Sequence, residues 1–220
     1  MRLIRVMCSG RVDLEFIFRA FASGQDGVFI GGCKLDECNY VTHGNYDALA
    51  NTYMAKKILA RIGLNPDRLR TQFMSGADGH LLARYTDEFA RQIKDLGPLG
   101  SSEGMDGDTV KFKLAAARNL VPFMRLAERE KLRVPVKSKQ AYQQFFDDPE
   151  TDQLFDRLFA DKLAVSQILL LLAKKPLSTG DISRHLGLNP SEVSRHMITS
   201  SRHGMVRYDT ASKCYTLARA

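Results

Sequence analysis

Gly31-Gly32-Cys33-Lys34-Leu35-Asp36-Glu37-Cys38-Asn39-Tyr40 is the stretch on which the reading of this chain turns. It follows a short apolar run, Val28-Phe29-Ile30. Gly31 and Gly32 have no Cβ, so the backbone there passes close to a bulky neighbour without a clash. Two cysteines, five positions apart, then share a turn. An earlier apolar run, Leu3-Ile4-Arg5-Val6-Met7, also ends in a cysteine near glycine, Cys8-Ser9-Gly10. Two expected strands therefore each finish at a thiol. As parallel neighbours they bring Cys8, Cys33 and Cys38 to one edge of one sheet, and open α/β sheets bind ligands at the carboxyl ends of their strands. Thiolates gathered there suit a soft metal, as an iron–sulfur cluster or zinc.

Working outward, residues 2–7 read as a buried strand. Asp13 is an N-cap residue before a helix with Phe16, Ile17, Ala20 and Phe21 on one face, and Gly24 stops it. Residues 27–30 are the next strand. A helix is expected over 47–62, a third strand over 69–74, and a helix over 80–96 that ends at Gly97-Pro98. The order is βαβαβα, which implies a small parallel three-layer sheet with right-handed crossovers. Three strands leave much apolar surface uncovered, so the expectation is that a further strand, from another chain or from sequence outside these 220 residues, completes the sheet.

Glycine and serine crowd residues 99–108, which read as a linker. A helix over 109–131 carries Pro122 inside it, where a kink is expected. Short helices follow at 139–147 and 151–160. The last sixty residues read as helix 162–173, helix from Ser178, a tight turn at Gly187-Leu188-Asn189-Pro190, helix from Ser191, and a hairpin of 206–208 with 214–217. That order resembles a winged helix-turn-helix domain. Three regions result: 1–98 as the α/β domain, 99–160 as linker and helical segment, and 161–220 as the winged-helix-like domain.

Apolar residues make up 44% of the chain and charged residues 26%, the balance of an ordinary soluble globular protein. No run approaches the length of a membrane span, and the N-terminal apolar run is too short and too charged for a signal peptide. The expectation is a cytoplasmic protein, in which four cysteines are metal ligands or thiols rather than disulfides. Residues 161–220 hold nine Lys/Arg against four Asp/Glu, so +5 of the net +7 lies in the last quarter. Arg184, Arg195, His196, Arg202 and His203 fall on or near its second and third helices. They suit phosphate and base contacts or a docking surface for a protein.

Cysteine is also among the most buried residue types, so each thiol taken singly has a purely structural reading. An all-thiolate cluster takes four ligands, and Cys8, Cys33 and Cys38 are three. Cys214, in the expected wing, and His43 are the candidates for the fourth. No P-loop, dinucleotide fingerprint or nucleophile motif is present. Gly76-Ala77-Asp78-Gly79 reads as a βα turn.

Arg2 to Asp13, Gly31-Gly32-Cys33, Cys38-Asn39-Tyr40, Gly44-Asn45-Tyr46 and Leu96-Gly97-Pro98 together resemble the delta subunit of methyl-viologen-reducing hydrogenase. The resemblance covers residues 1–98. It implies a [2Fe-2S] cluster with Cys8, Cys33 and Cys38 as ligand candidates, shared with or completed by a partner chain. It further implies an electron-transfer and adaptor subunit of an anaerobic redox complex. One partner is then a heterodisulfide-reductase-A-like FAD and iron–sulfur subunit. The other is an oxidoreductase that donates or accepts electrons: a hydrogenase, a formate or NADH dehydrogenase, or another low-potential reductase. The chain itself is expected to be non-catalytic. The alternative reading is a redox- or metal-sensing transcription regulator, with the cysteine domain as sensor and the tail on DNA.

Overall fold

The computed structural model describes residues 2–38 and 43–218. Asn39 and Tyr40, at the end of the cysteine turn, lie outside them. Two compact units are formed, Met1–Asp152 and Gln153–Ala220.

The first unit is mixed α/β with a parallel sheet. Helix α1 (Leu14–Ala22) starts where Asp13 accepts the Phe16 N–H, and Gly24 with φ +82° turns the chain out of it. Strand β1 (Val28–Cys33) pairs in parallel with β2 (Leu69–Met74), from Val28 opposite Leu69 to Cys33 opposite Met74. Between them runs α2 (Gly44–Arg61), and after β2 comes α3 (Gly79–Leu96). The core is built on α1 and α2: Leu14, Ile17, Phe18, Met54, Ile58 and Leu59 have no exposed surface.

Four expectations are corrected here. Residues 2–7 form no strand, and among the described residues the sheet has two strands, not three. Leu3, Ile4 and Met7 are each more than 80% exposed, so their apolar run is not buried by pairing within this chain. On α1 the buried face is Leu14, Ile17, Phe18 and Phe21, while Phe16 points outward. The helix expected over 109–131 is two helices, α4 (Gly107–Asn119) and α5 (Val121–Glu130), broken at Leu120 because Pro122 has no N–H to continue the ladder. Residues 151–173, expected as two helices, belong to one, α7 (Pro149–Leu172), which follows α6 (Lys139–Asp147).

The glycine- and serine-rich stretch after α3 is tied down from inside. Arg68 has no exposed surface, and its guanidinium donates to the carbonyls of Asp26, Leu96, Gly97 and Pro98. It also pairs with Glu103 at 2.7 Å. A buried guanidinium needs its donors filled, and here the chain ends around it fill them.

The second unit is a winged helix. Ile168 and Leu172 of α7 pack with Ile182 of α8 (Thr179–Leu186), with Val193 and Met197 of α9 (Pro190–Arg202), and with Val206. Ser178 and Asp181 form a capping box at α8, and Asn189 and Glu192 form one at α9. Gly187, at φ +67°, makes the turn between these helices. The wing is an antiparallel hairpin of β3 (Val206–Asp209) and β4 (Cys214–Leu217).

Candidate metal centre

Three thiols meet in the first unit. Cys33 is the last residue of β1. The turn after it closes with the Glu37 N–H donating to the Lys34 carbonyl at 3.0 Å, and Cys38 follows. Cys8 sits in extended backbone just before a single 3-10 turn, Ser9–Arg11. Burial, the Cys38 thiol and then the Cys8 thiol all push the Cys33 thiol up from its ordinary value. The thiols of Cys33 and Cys38 are also hydrogen-bonded. Neighbouring thiolates repel, which favours the protonated form of Cys33.

Glycines clear the space. A Cβ on Gly44 would stand 2.8 Å from Cys8 Sγ and 3.1 Å from Gly10 Cα. One on Gly10 would meet Gly44 Cα at 2.6 Å. One on Gly32 would meet Ser9 Oγ at 2.9 Å. Cys8 is therefore held by the packing of its 3-10 turn on the start of α2, where the sequence suggested a parallel strand.

Two residues that the sequence left without a role complete the arrangement. Asn45 has no exposed surface and donates its Nδ2 to the carbonyls of Lys34 (2.7 Å) and Leu35 (3.0 Å). Its neighbour Tyr46 donates from its hydroxyl to Asp36 at 3.4 Å. The first turn of α2 thus holds the turn that carries Cys33 and Cys38. Ser9 is the second: it is 5% exposed, and its Oγ finds no hydrogen-bond partner among the described residues. The signal for Asn45 was present, since a polar residue at a helix start commonly binds backbone. Nothing in the sequence marks Ser9.

Among the described residues no group of three or more His, Cys, Asp or Glu side chains stands placed to hold a metal ion. The chemistry fits a sulfur-bound group in kind. Three interacting thiols, an orphaned buried hydroxyl beside them and a cradle without Cβ atoms are what such a group uses. The set is one thiolate short of the four that a cluster takes. Of the candidates for the fourth, His43 precedes α2 in the left-handed region, φ 51°, with its ring edge-on to Tyr46 at 6.4 Å. Cys214 is in the second unit, at the start of β4.

The basic groups of the tail are partly paired, at the surface. Arg195 forms a two-pronged pair with Asp161 at 3.1 and 3.2 Å, Arg184 pairs with Asp181, and His196 is buried. Arg202 and His203 are exposed.

Residues 1–97 match the family described as methyl-viologen-reducing hydrogenase, delta subunit. Residues 164–197 match the bacterial regulatory proteins of the arsR family. A relative from Archaeoglobus profundus, named as the D-type iron-sulfur subunit of F420-non-reducing hydrogenase, is 43% identical over 97 residues, which are 44% of this chain and 70% of that protein. A similarly named protein from Methanopyrus kandleri is 39% identical over 98 residues and is covered to 74%. The A-type subunit of the ferredoxin/F(420)H(2)-dependent CoB-CoM heterodisulfide reductase of Methanosarcina acetivorans is 44% identical over 100 residues. That stretch is 46% of this chain but only 12% of the reductase protein.

Proposed function

The chain belongs to the methyl-viologen-reducing hydrogenase delta-subunit family, and from that premise we propose that it is an electron-transfer and adaptor subunit of a cytoplasmic, anaerobic redox complex. Cys8, Cys33 and Cys38 hold a [2Fe-2S] cluster as three of its four ligands. When bound, the cluster takes up and gives back one electron at a time. The chain's own part is to gather the thiolates, to exclude side-chain bulk at Gly32 and Gly44, and to hold the turn through Asn45. Its partners are a heterodisulfide-reductase-A-like flavoprotein and an oxidoreductase that supplies or accepts electrons. Residues 1–98 form the cluster domain and 161–220 a docking module. The observation that carries this reading is the close approach of the Cys8-Ser9 turn to Gly44 and to Gly32, the residue before Cys33. Relatives named as iron-sulfur subunits and as part of a heterodisulfide reductase support it. The experiment is iron and sulfide analysis with EPR on the co-purified complex, in wild type and in Cys33→Ser. Unchanged iron and unchanged signal in the variant would sink the assignment.

A second reading has one observation behind it, the arsR-family match over residues 164–197. In it the tail binds DNA and the thiols sense metal or redox state. Attachment to the cysteine-bearing domain favours docking over DNA, since the exposed Arg195–Asp161 pair exchanges readily and does not bar a phosphate contact. Salt-sensitive, sequence-specific binding of the intact chain to an operator would reverse that preference.

A further inference from the structure

Strand β2 is paired on one side only. β1 runs along it from Val28 to Cys33, and no strand among the described residues takes the other edge. A cleft of 660 Å³ touches Arg70, Thr71, Gln72 and Phe73 in succession. Successive strand residues point to opposite faces, so a cavity that meets all four opens on the edge. An unpaired edge presents a row of main-chain N–H and C=O groups.

The rim of this cleft is cationic. Lys34, Lys56, Lys139 and Arg70 reach it from the cysteine turn, α2, α6 and β2, and Asp36 is the one carboxylate in the described lining. The carboxylates near these cations stand outside it. Lys34 is 3.4 Å from Glu37 and Lys56 is 3.7 Å from Asp67, both pairs at least partly solvent-exposed and easily exchanged. Arg70 is held by Glu88 at 3.0 Å. The start of α6 adds to the same sign, since the first N–H groups of a helix have no intrahelical partner and favour negative charge. Leu49, Tyr53 and Phe73 supply an apolar floor.

Unpaired main chain beside side-chain pockets is the geometry of strand addition, in which the backbone gives affinity and the pockets give choice. We infer that the outer edge of β2 is the docking groove for an extended acidic segment of a partner protein, which adds as a third strand. The inference rests on the adaptor reading above and gives that adaptor a contact surface. Lys34 and Asp36 line the groove and also form the turn between Cys33 and Cys38, so the docked segment lies against the thiol-bearing loop.

The test uses the full chain and two synthetic peptides, one alternating valine with glutamate and one alternating valine with lysine. Binding is read by fluorescence anisotropy and its place by amide hydrogen exchange. The acidic peptide is expected to bind, to weaken with salt, and to slow exchange over residues 70–73. The double variant Lys56→Glu, Lys139→Glu should bind it about tenfold more weakly. Equal binding of both peptides, protection elsewhere, or unaltered affinity in the variant overturns the inference. Self-association that protects residues 70–73 assigns the edge to a second copy, and pyrophosphate binding there without peptide binding assigns it to a small anion. Either result also overturns it. None of these readouts measures iron, so their failure is separate from failure of the cluster assignment.

Discussion

The side-chain amide of Asn45 bonds the carbonyl of Lys34 at 2.7 Å and that of Leu35 at 3.0 Å, from a position with no exposed surface. Asn45→Ala removes both donors from carbonyls held at 2.7 and 3.0 Å, which costs roughly 1–3 kcal/mol. Asn45→Asp keeps the shape but sets a carboxylate oxygen against those carbonyls, so it should cost more than alanine. Urea unfolding measures the cost. Alkylation followed by mass spectrometry should show Cys33 and Cys38 reacting faster in both variants. Unaltered alkylation would mean that Asn45 does not fix the turn.

The same residue shows what a sequence reveals and what it conceals. Strand 69–74 was legible in full and 28–33 in part, because apolar and β-branched residues cluster between turn signals. Cys33 was legible as the end of a strand. Residues 2–7 have the same local pattern and form no strand, since pairing is decided by a distant partner and not by the run itself. Asp161 read as a gap between two helices, yet it is an exposed residue within α7. Arg68 and Glu103 are thirty-five positions apart, and no periodicity links them. Ser9 and Asn45 act through backbone proximity, which composition does not encode.

Ser9→Ala removes a buried hydroxyl that has no partner among the described residues. Losing an unsatisfied polar group is neutral or stabilising when its shape is kept, so the unloaded chain should unfold no earlier than wild type. In the iron-loaded protein the variant should have a more negative reduction potential, because hydrogen bonds to cluster sulfurs help to set it. Redox titration followed by EPR checks this. A potential equal to wild type would show that the hydroxyl does not face the cluster.

Gly10 and Gly31 make a contrast within one short segment of structure. An added Cβ at Gly10 meets Gly44 Cα at 2.6 Å, a backbone atom that cannot swing aside. At Gly31 the nearest atom is a Phe29 ring carbon at 3.8 Å, an ordinary contact. Gly10→Ala should destabilise by about 1–3 kcal/mol or more through overpacking, and Gly31→Ala by much less. Thermal melts of the two variants decide it. Equal losses would mean that the approach of Cys8-Ser9-Gly10 to α2 is not tight.

Glu103 carries the pH prediction. Burial pushes its carboxyl up, but the Arg68 guanidinium, the Asn65 N–H and the Ser102 hydroxyl outweigh burial and hold it at about 2, against an ordinary 4.5. A carboxyl whose folded value is depressed stabilises the fold above its unfolded value. That contribution is complete above about pH 4.5 and is lost as pH falls toward 2. Glu103→Gln leaves the Arg68 charge buried with its carboxylate gone, and breaking such a pair costs roughly 3–5 kcal/mol. Chemical unfolding between pH 7 and pH 2 should therefore show the variant well below wild type at neutral pH. The two curves should approach each other as the wild-type carboxyl protonates. Parallel curves across that range would show that Glu103 titrates normally, and the tie between Arg68 and the chain after α3 would then rest on its carbonyl bonds alone.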